Sequence, residues 1–377
     1  MEITIAERLK QVPDYRKGNA IRHRLADILI IALLTFICNG NGYAAMRILG
    51  KNHEDELKKF LALPNGIPSQ DTFEHVFAKL NPKALSQTLR EALTDAGGNS
   101  INYDRLLASI DGKTLRGSKK SGEKAIHVVS AYASELRLVL GELATEAKSN
   151  EITAIPKLLD MFCQKGMVIT IDAMGTQTAI AEAIIKKKAD YVLSVKGNQE
   201  TLHTDVSLLV EHELISADKS RLRENGQYER TIEKGHGRIE TRECYICPHT
   251  NWLTSPEDWV GLAGFGAIVS KREILGKTPT FNTEYFIYSL EDTTAAEILH
   301  IKRSHWSIEN NLHWVLDVVF REDESRVRSG NAPENLNILR KESAYSLRNH
   351  PSGGSITGKR YLCSLNLSYA LDVLGVK

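Results

Sequence analysis

A chain of 377 residues, 42% hydrophobic and 25% charged, can bury a large core, and its composition excludes a disordered or fibrous protein. The formal net charge of +1 gives no bulk electrostatic reason to bind nucleic acid, so such a surface would have to arise from local clustering of cations. Five scattered cysteines (Cys38, Cys163, Cys244, Cys247, Cys363) fit free thiols in a reducing cytosol, and Cys244-x-x-Cys247 has no second pair to complete a zinc site.

In chain order, residues 1–100 read as helical. A basic cluster (Arg16, Lys17, Arg22, His23, Arg24) precedes the apolar run Leu25–Cys38, which Asn39-Gly40-Asn41-Gly42 terminates. That run is too short to cross a bilayer and contains Asp27, so a buried helix is expected and no membrane association. The turn from Asn65 to Ser69 leads into a helix with Phe73, Val76, Phe77 and Leu80 on one side. This pattern is compatible with helix-turn-helix DNA reading and equally with plain helical packing.

From residue 104 the pattern changes to strands. Leu106 to Ile110 is a short apolar strand that ends at Asp111-Gly112-Lys113, and Met167 to Ile171 repeats the design, ending at Asp172. Between them lie a hairpin (125–133 and 136–147, joined at Ser134-Glu135) and an amphipathic helix from Asn150 to Phe162. A helix over 178–188 and a strand over 191–195 follow, so residues 104–199 predict a mixed sheet in the order β-β-β-α-β-α-β. Apolar runs at 167–171 and 191–195 are expected of central strands covered on both faces. Residues 200–290 predict a β-rich insertion subdomain, with strands at 238–246, 264–269 and 284–290. Residues 291–330 predict a long helix reaching Phe320, opened by a capping box at Thr294–Glu297, and 331–377 a helical tail.

The long helix carries His305, Glu309, His313 and Asp317 at four-residue spacing beside an apolar stripe of Ile308, Leu312, Val315 and Val319. Each acidic residue has an ordinary reading alone: a turn aspartate for Asp111 and Asp172, a solvated helix face for Glu309. Together, two strand-end aspartates and a helical glutamate on one sheet can converge on a point. Three carboxylates suit a hard cation, Mg²⁺ or Mn²⁺, and such sites perform two-metal phosphoryl transfer on phosphodiesters. Cations needed around that substrate are present: Lys113, Arg116, Lys119, Lys120 and Lys124 against one acid (Glu123), then Lys196 in Lys196-Gly197-Asn198-Gln199, and Arg303.

At these residues the chain resembles DDE transposases of bacterial insertion sequences, specifically the H-repeat-associated (Rhs-element-linked) group. The matching strings are Ser109–Arg116, Lys148–Pro156, Thr170–Gly175, Val195–Gln199, Lys234-Gly235-His236-Gly237-Arg238 and His305–Asn310. The resemblance implies an α/β fold with a ribonuclease-H-like core, a β insertion before the final core helix, and a helical N-terminal domain contributing to DNA-end recognition. It implies Asp111, Asp172 and Glu309 as the triad holding two Mg²⁺ or Mn²⁺ ions, with Lys113, Arg116, Lys196, Asn198, His236, Arg238, Arg303, His305 and His313 as DNA contacts. The wider group has a Tyr-x2-Arg-x3-Glu-x6-Lys signature around the glutamate; here Lys302, His305 and Leu316 occupy those positions, leaving Arg303, His305 or His313 as substitutes. The implied activity is cleavage at terminal inverted repeats of an element and transfer of those ends to target DNA. It would proceed in the cytoplasm on the nucleoid, by a dimer or larger assembly on duplex DNA. The alternatives are a nuclease that cuts without joining and an inactive DNA-binding remnant of a mobile element.

Overall fold

The computed structural model describes residues 5–18, 21–96, 102–119, 122, 124–145, 151–235 and 237–376. The N-terminal part is helical, as expected: α1 (Ile5–Lys10), α2 (Leu25–Ile37), α3 (Gly42–Asn52), α4 (Glu54–Leu57), α5 (Gln70–Lys79) and α6 (Pro82–Ala96). Apart from Ala26, every side chain of α2 is buried, which is where its apolar run places it. Among the described residues no single helix is long and apolar enough to cross a membrane. Helix α5 starts where the sequence predicts, the Ser69 hydroxyl accepting from the Thr72 N–H.

The C-terminal helices α12 (Ala332–Asn349), α13 (Ile356–Leu365) and α14 (Leu367–Val373) share one apolar core with these. Leu336, Leu339 and Leu347 of α12 pack with Leu29, Phe36, Phe73 and Phe77, so the two chain ends build the helical body together.

Between them lies one nine-stranded sheet. Strands β1 (Leu107–Thr114), β2 (His127–Ala133), β3 (Leu138–Thr145), β4 (Val168–Ile171) and β5 (Asp190–Val195) alternate with α7 (Glu151–Phe162) and α8 (Thr178–Lys186) in the predicted order. Helices α9 (Glu200–Leu209) and α10 (Lys219–Glu224) lead into β6 (Tyr228–Gly235), β7 (Arg238–Cys247), β8 (Gly264–Ile274) and β9 (Thr280–Tyr288). Spatial order is β3-β2-β1-β4-β5-β9-β8-β7-β6, with β4 parallel to β1 and β5, and the other neighbours antiparallel. The insertion therefore continues the core sheet through the β5–β9 pairing, because Val192–Val195 leaves an edge that β9 caps. Cys244 and Cys247, three apart on β7, point to opposite faces and into different core clusters, which leaves them as separate buried thiols.

Helix α11 (Ala295–Ser307) covers one face of the parallel strands and α7 and α8 the other. The Thr294 hydroxyl caps α11 by accepting from Glu297 N–H, while the Glu297 carboxylate accepts from the Thr293 hydroxyl at 2.9 Å. Beyond Ser307 the backbone departs from the predicted regular helix. Residues Ile308–His313 and Val315–Val319 form π-helical turns, the wider geometry that recurs at functional sites.

Candidate active site at the ends of the parallel strands

Strand register places the first two carboxylates. Ile110 of β1 lies beside Ile171 of β4 in parallel pairing, so Asp111 and Asp172, each one residue further, stand side by side where that pairing ends. Asp172 has left β4, whereas β1 runs on to Thr114 with Asp111 opposite Ser130 of β2, and does not end at Asp111 as the sequence predicts. Side chains alternate along a strand. Ile110 and Ile171 therefore face the α7–α8 side, while Leu107, Ser109 and Asp111 share the α11 face with Val168, Thr170 and Asp172.

A row of hydroxyls fastens α11 to that face. Ser109 Oγ donates to the Ser304 carbonyl at 3.4 Å, Thr170 Oγ1 lies 2.9 Å from His305 Nδ1, and Lys302 Nζ donates to Ser194 Oγ at 2.6 Å. Past α11, Ile308, Leu312 and Leu316 seat the π turns on Tyr132 of β2. This seating carries Glu309, exposed, and His313, half-buried, over the strand ends. His313 Nδ1 reaches Asp111 Oδ2 at 3.4 Å, and its Nε2 is buried without a hydrogen-bond partner among the described residues.

The three carboxylates occupy one electrostatic field. Burial pushes Asp172 up, opposed by the Gly175 N–H and reinforced by the charges of Asp111 and Glu151. Glu309 is raised first by burial, then by Asp111, with His313 opposing and Asp172 adding. Burial would also raise Asp111, but the hydrogen bond and charge of His313, with the Gly112 N–H and His305, hold it below the ordinary carboxylate value. Asp172 has a further role in local structure: Oδ1 accepts from the N–H groups of Met174 and Gly175 at 3.1 and 3.2 Å, fixing the turn that leaves β4.

Oxygen donors that raise one another's affinity for a proton do the same for a hard cation, so the donor set fits Mg²⁺ or Mn²⁺. Among the described residues no three of His, Cys, Asp and Glu are yet gathered tightly enough to hold one. Glu309 is the exposed member of the three.

The expected DNA contacts divide. Lys113 is buried, its Nζ 2.7 Å from Asp317, 3.2 Å from Glu322 and 3.6 Å from Asp323; it locks the end of the π segment to β1 and does not face a substrate. Glu322 is also held by Asn337 at 2.8 Å and Arg340 at 3.5 Å. His305 is spent on Thr170 and pushed down to about 4 by burial and the Lys302 charge, so it is a neutral packing element and not a cationic contact. His313 belongs to Asp111. Asn198 donates to the Ala173 carbonyl at 2.6 Å, and Gln199 to the Thr176 carbonyl at 2.8 Å, so this loop clamps the turn behind Asp172.

Arg116, Lys119, Lys124 and Lys196 are exposed near the strand ends. Arg238 and Arg303, paired with Glu240 and Glu233 at 2.6 Å, line a groove of about 580 Å³ between the insertion strands and α11. Arg242, Lys271, Arg272 and the half-exposed Trp306 share its walls. Lys120, His236 and the Lys148–Asn150 part of the motif lie outside the described residues.

One pair was not expected from the sequence. Glu151, the first residue of α7, is buried with Oε1 2.5 Å from His127 Nε2, and His127 Nδ1 lies 2.9 Å from the Thr114 hydroxyl. The position of Glu151 within the matching string Lys148–Pro156 was its only signal in the sequence.

The family model for a transposase DDE domain matches residues 102–344, and the region associated with that domain matches residues 6–92. The chain belongs to the transposase DDE-domain family. YncI of Escherichia coli O157:H7, provisionally named a transposase, is 37% identical over 377 residues, covering 98% of this chain and 94% of that protein. YhhI of Escherichia coli K12, provisionally named an H repeat-associated transposase, is 37% identical over 346 residues, covering 89% of this chain and 88% of its own length. Among solved structures, a piggyBac transposase synaptic complex with hairpin DNA aligns at TM-score 0.42 and 11% identity, over 99% of this chain and 77% of that one. The first matched region covers helices of the N-terminal part, and the second contains Asp111, Asp172 and Glu309.

Proposed function

We propose that this protein is a Mg²⁺- or Mn²⁺-dependent transposase that cuts DNA at the terminal inverted repeats of an insertion sequence and joins the cut ends to target DNA. The observation that carries this reading is the β1–β4 register, which sets Asp111 beside Asp172 under the helix that bears Glu309, in a chain of the DDE family. The strand order β3-β2-β1-β4-β5 supports the ribonuclease-H-like core that the resemblance implies.

In this reading Asp111, Asp172 and Glu309 bind two cations. Cations held by these carboxylates would make water more acidic at neutral pH and would offset negative charge at the reacting phosphate. In cleavage, the oxygen of water bonds to phosphorus as the P–O3′ bond breaks, freeing a 3′ hydroxyl; in joining, that hydroxyl attacks a target phosphodiester in the same way. His313 keeps Asp111 ionised, and the Asn198 clamp holds the turn that aims Asp172. Arg116 and Lys196 at the strand ends, with Arg238 and Arg303 in the groove, position the phosphates. Bringing two DNA ends together calls for a dimer or larger assembly on DNA, and residues 1–100 contribute to recognition of the ends. The setting is the cytoplasm, on the nucleoid.

The test is strand cleavage and joining on a duplex that contains one end of the element, with Mg²⁺. Loss of both steps in Asp111→Ala is expected, and full activity in that protein would sink the assignment. Cutting without covalent transfer of the 3′ end would replace it with a nuclease. Binding with no cleavage by the unaltered chain would leave an inactive remnant.

A further inference from the structure

Helix α7 contacts the chain behind both aspartates. A Cβ added to Gly112, the residue after Asp111, would overlap His127 Nε2 and come within 2.5 Å of Glu151 Oε1. A Cβ added to Gly175, three residues after Asp172, would lie 2.9 Å from Ile155 Cδ1. The first two turns of α7, through Glu151 and Ile155, therefore brace the backbone just after each aspartate, and glycine is what lets them come so close.

Glu151 is also a charged group in an expensive place. It is 4% exposed, and the described partner of its carboxylate is one histidine nitrogen, itself held by Thr114. A buried carboxylate kept only to start a helix could be replaced by a neutral cap at no loss. Its charge reaches Asp172, in the same direction as that of Asp111.

We propose that Glu151, fixed by His127 and Thr114 behind the metal site, positions Asp111 and Asp172 and strengthens cation binding by its charge. This rests on the reading of Asp111, Asp172 and Glu309 as metal ligands. Glu151 acts through those residues, so it is a positioning residue. The Thr114–His127–Glu151 chain has the form of the outer hydrogen-bonded shell whose loss lowers metal affinity by about 10–100-fold.

The experiment measures Mn²⁺ binding to the full-length chain by electron paramagnetic resonance of the free ion, with a thermal melt of each protein. Glu151→Gln keeps the shape and the acceptor for His127 but removes the charge. It is expected to bind Mn²⁺ about tenfold or more weakly while melting close to the unaltered protein. Glu151→Asp, which restores the charge on a shorter arm, is expected to recover part of the affinity. If Glu151→Gln melts early, Glu151→Asp alone decides: weaker binding by a folded protein supports the role, and unchanged binding overturns it. Unchanged Mn²⁺ affinity in a folded Glu151→Gln, alongside loss of binding in Asp111→Asn, overturns the role of Glu151 and leaves the metal site standing. Absence of Mn²⁺ binding by the unaltered chain, or undiminished binding by Asp111→Asn, overturns the metal-site reading itself.

Discussion

Asp111 and Asp172 occupy equivalent places on neighbouring strands yet meet opposite fields. Asp111 has His313 as a partner, whereas Asp172 accepts only from backbone N–H groups and is raised by burial and by the charges of Asp111 and Glu151. A carboxylate raised in the fold binds its proton more tightly there than in the unfolded chain. In cation-free protein the contribution of Asp172 to stability should therefore fall as pH climbs above the ordinary aspartate value of 3.8, because Asp172 must then be held charged, while Asp111, held low, contributes in the opposite direction. Asp172→Asn, which keeps an acceptor for the two N–H groups, is expected to flatten this loss and to melt higher than the parent at neutral pH without divalent cation. Added Mg²⁺ should raise the melting temperature of the parent more than that of the variant; equal responses would count against Asp172 as a ligand. Lys113 and Arg116, three residues apart, carry a second contrast. Lys113→Ala takes the ion-pair partner from Asp317 and one of the partners from Glu322 and Asp323, and should cost about 3 kcal/mol in a denaturant titration. Arg116, 80% exposed, should change stability by no more than about 0.5 kcal/mol on replacement by alanine, and weaken DNA binding instead.

At the scale of elements, the segment after α11 decides whether Glu309 can join the aspartates. Its seat is small: Ile308, Leu312 and Leu316 against Tyr132, with the Lys113 cluster beyond. Leu312→Ala should cost about 2–4 kcal/mol by cavity formation and should lower cleavage by more than the drop in stability explains, since the π turn then slips from its register over β1. A chemical denaturation curve alongside single-turnover cleavage at a temperature where the variant stays folded would check this; full cleavage there would show that Glu309 does not depend on the seat. Periodicity in the sequence locates the helical segment and two residues of its seat, Ile308 and Leu312, but the expected stripe splits: Leu316 completes the seat on Tyr132, while Val315 and Val319 pack into the helical body. It does not reveal the change to π geometry, which depends on the fit of Leu312 and Leu316 to a tyrosine from a distant hairpin.

Across the whole molecule, the basic residues form a surface only because the insertion continues the sheet. β6–β9 bring Arg238, Arg242, Lys271 and Arg272 against the α11 face that carries Arg303 and Trp306. With a net charge of +1 distributed over the chain, DNA affinity must come from such local gathering. Replacing Arg238 and Arg303 together by glutamine should weaken binding across unrelated duplexes. It should also reduce the slope of log affinity against log salt by about 0.9 for each phosphate that is no longer neutralised. Fluorescence anisotropy across a salt series measures this, and an unchanged slope would remove the groove from the DNA path.

What the sequence by itself determines here is local: two apolar runs that each end in an aspartate, the helix spacing around Glu309, and the caps and turns that mark most element boundaries. These follow from short-range backbone and side-chain preferences, which neighbouring residues are enough to set. Only the tertiary structure decides that Lys113 is sealed among three acids, that His305 and Asn198 hold the site together instead of facing a substrate, and that Glu151 stands behind the aspartates. Each of those depends on a partner that other elements bring, and a lone charge in a sequence cannot show whether the fold will give it water or a counter-ion. Asp111 and Asp172 were legible because their placement needs only the parallel strand register. Glu151 was not, because it is defined by the space that Gly112 leaves open.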